Sequence, residues 1–188
     1  MESLWTDFVN SDYHDWRGSG RSENRLVLSS WQHAFLGKWC LSAPIPALED
    51  DIRVLEQFRG RLQQLAADLS EGGAMAQADR DWLNAAMSGG LITRQLAGEG
   101  SELHLSMVPA KQEWTQVMAE VAADFAGTVI EGETVRIRFC ENSDCRWVFY
   151  DDTRNRTKRY CDDKMCGNLM KVRRFRAKKK AEAIKDNG

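Results

Sequence analysis

Histidine is scarce in this chain: His14, His33 and His104 are the only three in 188 residues. They are scattered, and none has a metal-ligand neighbour three or four positions away. A catalytic zinc keeps an open position and usually draws on His, so zinc-enzyme chemistry finds no support here. A Gly-rich phosphate loop, a serine nucleophile elbow and a spaced carboxylate motif are also missing. "RGSGR" (17–21) has glycines but no strand before it and no helix after it, and "RGSGRSEN" reads as a loop. No run approaches the roughly 18 apolar residues that span a bilayer. The opening "MESLWTDFVNSDYHDW" lacks the basic and apolar regions of a secretory signal. The expectation is a cytoplasmic protein without enzymatic activity or a membrane partner, whose thiols stay reduced.

Net charge is low as well, at −2, but the total hides a split. Residues 1–135 hold 10 Lys and Arg against 20 Asp and Glu, whereas residues 136–188 hold 16 against 8. An acidic body is joined to a basic end, and a basic end of this kind suits a polyanion.

The apolar fraction of 43% is enough for a core. In "ALEDDIRVLEQFRGRLQQLAADLSEGG", Ile52, Leu55, Phe58, Leu62, Leu65 and Leu69 recur at steps of three and four. That spacing predicts a helix with one apolar stripe. Glu49, Asp50 and Asp51 favour its start through the helix dipole, and Gly72-Gly73 end it. "ADRDWLNAAMSGG" predicts a shorter helix. "LITRQLAGEGSELHLSMVP" predicts a hairpin turning at "AGEG". "AKQEWTQVMAEVAADFAG" predicts a second long helix with Trp114, Val117, Met118, Val121 and Phe125 inward, and "SSWQHAFLGKWC" is a further candidate. After Gly127 the period changes to two: Val135, Ile137 and Phe139 alternate with arginines, as in a half-buried strand that delivers Cys140. The module boundary falls in "EGE" (131–133).

Four of the five cysteines then follow with the spacing Cys140-x4-Cys145-x15-Cys161-x4-Cys166. Reduced thiols in two close pairs read as a metal site rather than as disulfides. Four thiolates give Zn2+ a closed tetrahedral shell, which is a structural site. "RWVFY" and "TKRY" are expected to pair as strands around "DDTRNR", with Cys161 just before a helix and Cys166 at its start. Loop, hairpin and helix around one zinc make a treble-clef-like arrangement. About 40 residues cannot bury a sufficient core alone, and the metal supplies the deficit. Cys40, alone in "KWCLS", is expected to be a small buried hydrophobe.

The same stretch, "CENSDCRWVFYDDTRNRTKRYCDDKMCGNLMKVRRFRAKK", resembles the CGNR-type zinc finger. That finger ends a family of proposed stress-induced transcription regulators with an N-terminal ABATE-type domain. Trp147, Phe149, Asp151, Thr153, Arg154, Asn155, Arg156, Arg159 and the triplet Cys166-Gly167-Asn168 fall on the pattern without gaps. The resemblance implies zinc held by Cys140, Cys145, Cys161 and Cys166, and nucleic-acid binding. One departure stands out: the arginine that gives the finger its name is Leu169 here. If that arginine touches phosphate, this finger has one contact fewer. Over the body the resemblance is carried by "DFVNS" and the helix of residues 52–69.

The helix after Cys166 is expected to turn Met165, Leu169, Val172 and Phe175 toward Trp147 and Phe149. Lys171, Arg174 and Lys178 would then form a cationic row on the opposite side, with Arg173 and Arg176 on the flanks. Arg154, Asn155, Arg156, Lys158 and Arg159 add to it from the hairpin. Cations in a row track phosphates, and arginines at a tip can enter a groove. The fold class expected is α+β: a mainly helical N-terminal domain with a β-hairpin (1–133), then a small treble-clef-like, four-cysteine zinc-binding module with a basic helix (134–188). The function expected is DNA binding by the module, under a body that senses a small molecule, among Trp5, Trp16, Trp31 and Trp39 for example, or assembles as a homodimer. A protein- or RNA-binding module with the same basic face is the other reading.

Overall fold

The computed structural model describes residues 3–185. The chain opens with α1 (Leu4–Val9), whose Ser3 cap bonds reciprocally with Thr6. A small hairpin of β1 (Asp12–His14) and β2 (Ser22–Asn24) comes next, so the end of "RGSGRSEN" is strand rather than loop. Then come α2 (Ser29–Lys38), α3 (Glu49–Ser70), α4 (Gln77–Ser88), β3 (Ile92–Ala97), β4 (His104–Pro109) and α5 (Trp114–Glu131). β5 (Ile137–Phe139), β6 (Val148–Tyr150) and α6 (Asn168–Lys185) complete the order. The architecture is the α+β class expected from the sequence: a mainly helical body with small antiparallel hairpins, and a C-terminal module that gathers four cysteines.

The periodic helices form where their stripes require. On α3, Leu55, Phe58, Leu62, Leu65 and Leu69 are buried, and Asp51 accepts from the Leu48 N–H at 3.3 Å to cap its start. On α5, Trp114, Val117, Val121 and Phe125 are buried. α1 crosses both helices and drives Trp5 and Phe8 into the centre. The Trp5 ring meets Phe125 edge-on at 5.1 Å, and its indole donates to Thr128 Oγ1 at 2.9 Å.

This core does not stop at the predicted module boundary. Ile137 of β5 and Val148 of β6 are buried in the same cluster as α1, α3 and α5. Asn10, at the end of α1, clamps β6 from the side: its amide donates to the Val148 carbonyl and accepts from the Val148 N–H, both at 2.9 Å. A side-chain amide thereby does the work of a neighbouring strand.

Four further expectations change. β6 pairs with β5, not with "TKRY", which has no strand of its own. β5 is shorter than predicted, because residues 134–136 form a 3₁₀ turn and Val135 is exposed. Cys40 is exposed, with a left-handed φ of 54°. The inward side of α6 is also displaced. Residues 163–167 form a wide turn in which the Gly167 N–H reaches the Asp162 carbonyl at 3.0 Å. One extra residue in a turn shifts the phase of the helix after it. Met170 and Arg173 therefore take the inward places expected for Leu169 and Val172, and Val172 and Phe175 lie exposed.

Candidate metal centre

The two cysteine pairs arrive on different scaffolds. Cys140 ends β5, and Cys145 closes a knuckle before β6. The Cys140 N–H donates to the Trp147 carbonyl, and the Cys145 N–H to the Asn142 carbonyl, each at 2.8 Å. Arg146, at φ 60°, turns the chain back into the strand. Cys161 and Cys166 flank the wide turn that opens α6, where Asp162 accepts from the Met165 N–H at 2.7 Å. The Glu141 N–H donates to the Arg159 carbonyl at 2.9 Å and ties the knuckle to the segment that carries Cys161.

All four Sγ atoms lie within 4.8 Å of one another. Cys145 and Cys161 are 3.6 Å apart, and Cys161 and Cys166 3.8 Å. A tetrahedron of sulfurs at about 2.3 Å from a zinc ion has edges of about 3.8 Å. The ionisation of the cluster fits a cation equally well. The thiols of Cys145 and Cys161 stabilise Cys140 as a thiolate and hold its pKa down at about 2. Cys145 is pushed up to about 12 by the thiolate beside it, and Cys161 rises for the same reason. Burial raises Cys166. Like charges this close disfavour one another, and a divalent cation between them would relieve that.

Asn142 is a member of this site that the spacing did not reveal. It is fully buried, and its Nδ2 donates to Cys166 Sγ at 3.4 Å and to the Trp16 carbonyl at 2.8 Å. The thiol cluster is thus tied to the β1–β2 loop of the body. Arg173 makes a second tie, with Nη1 on Asp144 Oδ2 at 2.7 Å and Nη2 on the Arg17 carbonyl at 2.9 Å. Gly18 passes so close that an added Cβ would meet Arg173 at 2.7 Å and Asp144 at 2.8 Å. "RGSGR" is therefore a fitted contact loop.

Two family models divide the chain between them. Residues 2–132 match the ABATE family, described as "Putative stress-induced transcription regulator", and residues 136–179 match the CGNR zinc finger. The chain belongs to the ABATE family. These are regulator and zinc-finger families rather than enzyme families. No curated protein matches the chain. Among the described residues no helix is long and apolar enough to cross a membrane.

The cations of this ABATE protein fall into two groups. Arg156 is bonded to Glu133 at 2.5 Å, Arg159 lies on Glu141 with Nε at 2.7 and 2.8 Å, and Arg173 is committed as above. Lys158 stacks over Phe149 at 5.4 Å. Arg174 reaches the Tyr160 hydroxyl and the Met170 carbonyl, and its charge also acts on Glu141. Lys178 has a distant Glu182 at 3.9 Å. Arg154, Lys171 and Arg176 are exposed and pair with no carboxylate among the described residues. Arg154 and Asn155 project from a loop held by Asp151, which accepts from the Thr153 N–H at 2.9 Å, the Thr153 hydroxyl at 2.5 Å and the Lys158 N–H at 3.0 Å. Burial pushes the Asp151 carboxyl up, but these donors hold it net below its ordinary value.

A cavity of about 450 Å³ lies between body and finger, walled by Tyr13, Trp16 and Arg25 on one side and by Trp147, Phe149 and Lys158 on the other. The Trp147 indole N–H is buried without a partner among the described residues. Of the four tryptophans expected to form a ligand pocket, Trp16 lines this cavity. Trp5 is in the core, Trp31 stacks on Phe35, and Trp39 donates to Asp7.

Proposed function

We propose that this protein is a regulator whose finger holds one structural Zn2+ through Cys140, Cys145, Cys161 and Cys166, and binds duplex DNA with the cations around it. The observation that carries the reading is the four-thiol cluster set against a helix on which Lys171 and Arg176 pair with no carboxylate among the described residues. The closed sulfur shell leaves no place for substrate, so the metal's role is to fix the finger. Lys171, Arg176 and Lys178 contact phosphates along about 10 Å of α6. Arg154 and Asn155, at the loop, are placed to reach base edges. Arg156, Arg159 and Arg173 support the finger through their acids and join the contact only by exchanging them. Leu169, half-buried, offers no phosphate contact. Under this reading the residues matched by ABATE are one unit and the finger another. The cavity between them, at a volume typical of small-molecule sites, is where a signal would enter.

Salt-dependent titration of zinc-loaded protein with duplex DNA tests this. The slope of log affinity against log salt should fall by about one unit for Lys171→Ala. Unchanged slope and affinity in that variant and in Arg176→Ala would remove the nucleic-acid reading. RNA and single strands serve as the competing arms. A protein partner is the second reading, supported by Phe175, Val172 and Ile184, which stand exposed among the cations of α6.

A further inference from the structure

The β3–β4 hairpin is unlike the rest of the body. Beyond glancing contacts, its strands touch only each other. Its register pairs Ile92 with Pro109, Arg94 with Met107 and Leu96 with Leu105, so these six residues share one face. The other face carries Thr93, Gln95, Ser106 and His104, with Val108 and Ala97. The strands alternate as a half-buried hairpin should, yet the apolar face lies open. Leu96 is 71% exposed, Leu105 65%, Met107 58% and Ile92 46%, and Leu103 continues the patch at 55%. A lone two-stranded hairpin is marginal in water, and a face of this kind is kept for a partner.

We infer that this face is the interface of a homodimer, covered by the same hairpin of a second copy of the chain. Area is the first argument. Five large side chains at these exposures present on the order of 500 Å² of apolar surface, which is what a partner patch of ~800 Å² at ~65% apolar contains. Charge is the second. The turn of the hairpin is acidic, with Glu99 and Glu102, whereas Arg94 lies mid-face and Lys111 at the base. None of the four has an ion-pair partner among the described residues. Glu113, the acid next to Lys111, accepts from the Thr115 hydroxyl at 3.2 Å. Two hairpins stacked face to face and antiparallel about a two-fold axis set each acidic turn over the cationic base of the other. The arrangement is self-complementary, as an isologous interface requires. It does not depend on what the finger binds.

Sedimentation velocity on the zinc-loaded full chain tests it, from about 1 to about 100 µM. A reductant is needed because Cys40 is exposed. The expected species is about 43 kDa, twice the chain mass of 21.4 kDa. Leu96→Asp with Leu105→Asp should raise the dissociation constant at least ~100-fold, with circular dichroism and metal content unchanged, since both side chains are exposed within one chain. Arg94→Glu with Lys111→Glu should raise it about tenfold, and adding Glu99→Lys with Glu102→Lys should restore it. A wild-type monomer throughout this range, or a dimer that survives the paired Leu variant, overturns the inference.

Discussion

The body and the finger each build a centre, from different materials. The body's centre is Trp5, Phe8, Leu62, Val117, Val121 and Phe125, drawn from helices long enough to present repeated apolar stripes. The finger's own centre is four cysteine positions with Phe149 and Tyr160, on strands of three residues and a single wide turn. Burial of apolar area stabilises the first. The second is too small for that, and its sulfurs gain order only around a cation. The seam is mixed: Ile137 and Val148 are buried with the body, while their neighbours Cys140 and Cys145 belong to the thiol cluster. A domain boundary drawn in the sequence at 133 thus passes beside a shared core, and the finger is docked on the body rather than tethered to it.

Variants can separate the two materials. Cys161→Ser should have the largest effect, because it opens the sulfur shell and forfeits metal binding worth about 10–16 kcal/mol in comparable fingers. The expected result, by elemental analysis and circular dichroism, is loss of zinc with α3 and α5 retained. Phe125→Ala should cost about 3–5 kcal/mol of the body's stability in chemical denaturation and leave the zinc content at one per chain. Asn10→Ala should cost about 1–3 kcal/mol, because it strands the Val148 N–H and carbonyl at the seam. It should loosen body and finger together, and an effect confined to either side would show that the seam is not shared.

Much of this was legible in the sequence. α3 and α5 announce themselves by spacing, and β3–β4 by alternation on either side of a Gly-rich turn. The cysteine spacing predicts a cluster, and the structure brings those four sulfurs together. What was not legible depends on single residues. Asn10 and Asn142 bond to partners more than 120 positions away, and no periodic signal marks a lone amide. β6 takes β5 as its partner because Arg146 turns left-handed after the knuckle, while Asp151 folds residues 151–158 into a capped loop instead of a tight turn. The inward side of α6 was displaced by one residue because the wide turn before it cannot be read from apolar spacing. Arg156, Arg159 and Arg173 look like free cations in the sequence, and three acids, Glu133, Glu141 and Asp144, hold them in the fold.

The central claim is that one chain contains a metal-dependent centre docked on a metal-independent one. Amide hydrogen exchange of the full chain, with zinc bound and after chelation, tests it most directly. The account predicts that chelation removes protection from residues 140–168 and leaves α3 and the middle of α5 protected. Protection unchanged in 140–168, or lost across α3 and α5 as well, would contradict it.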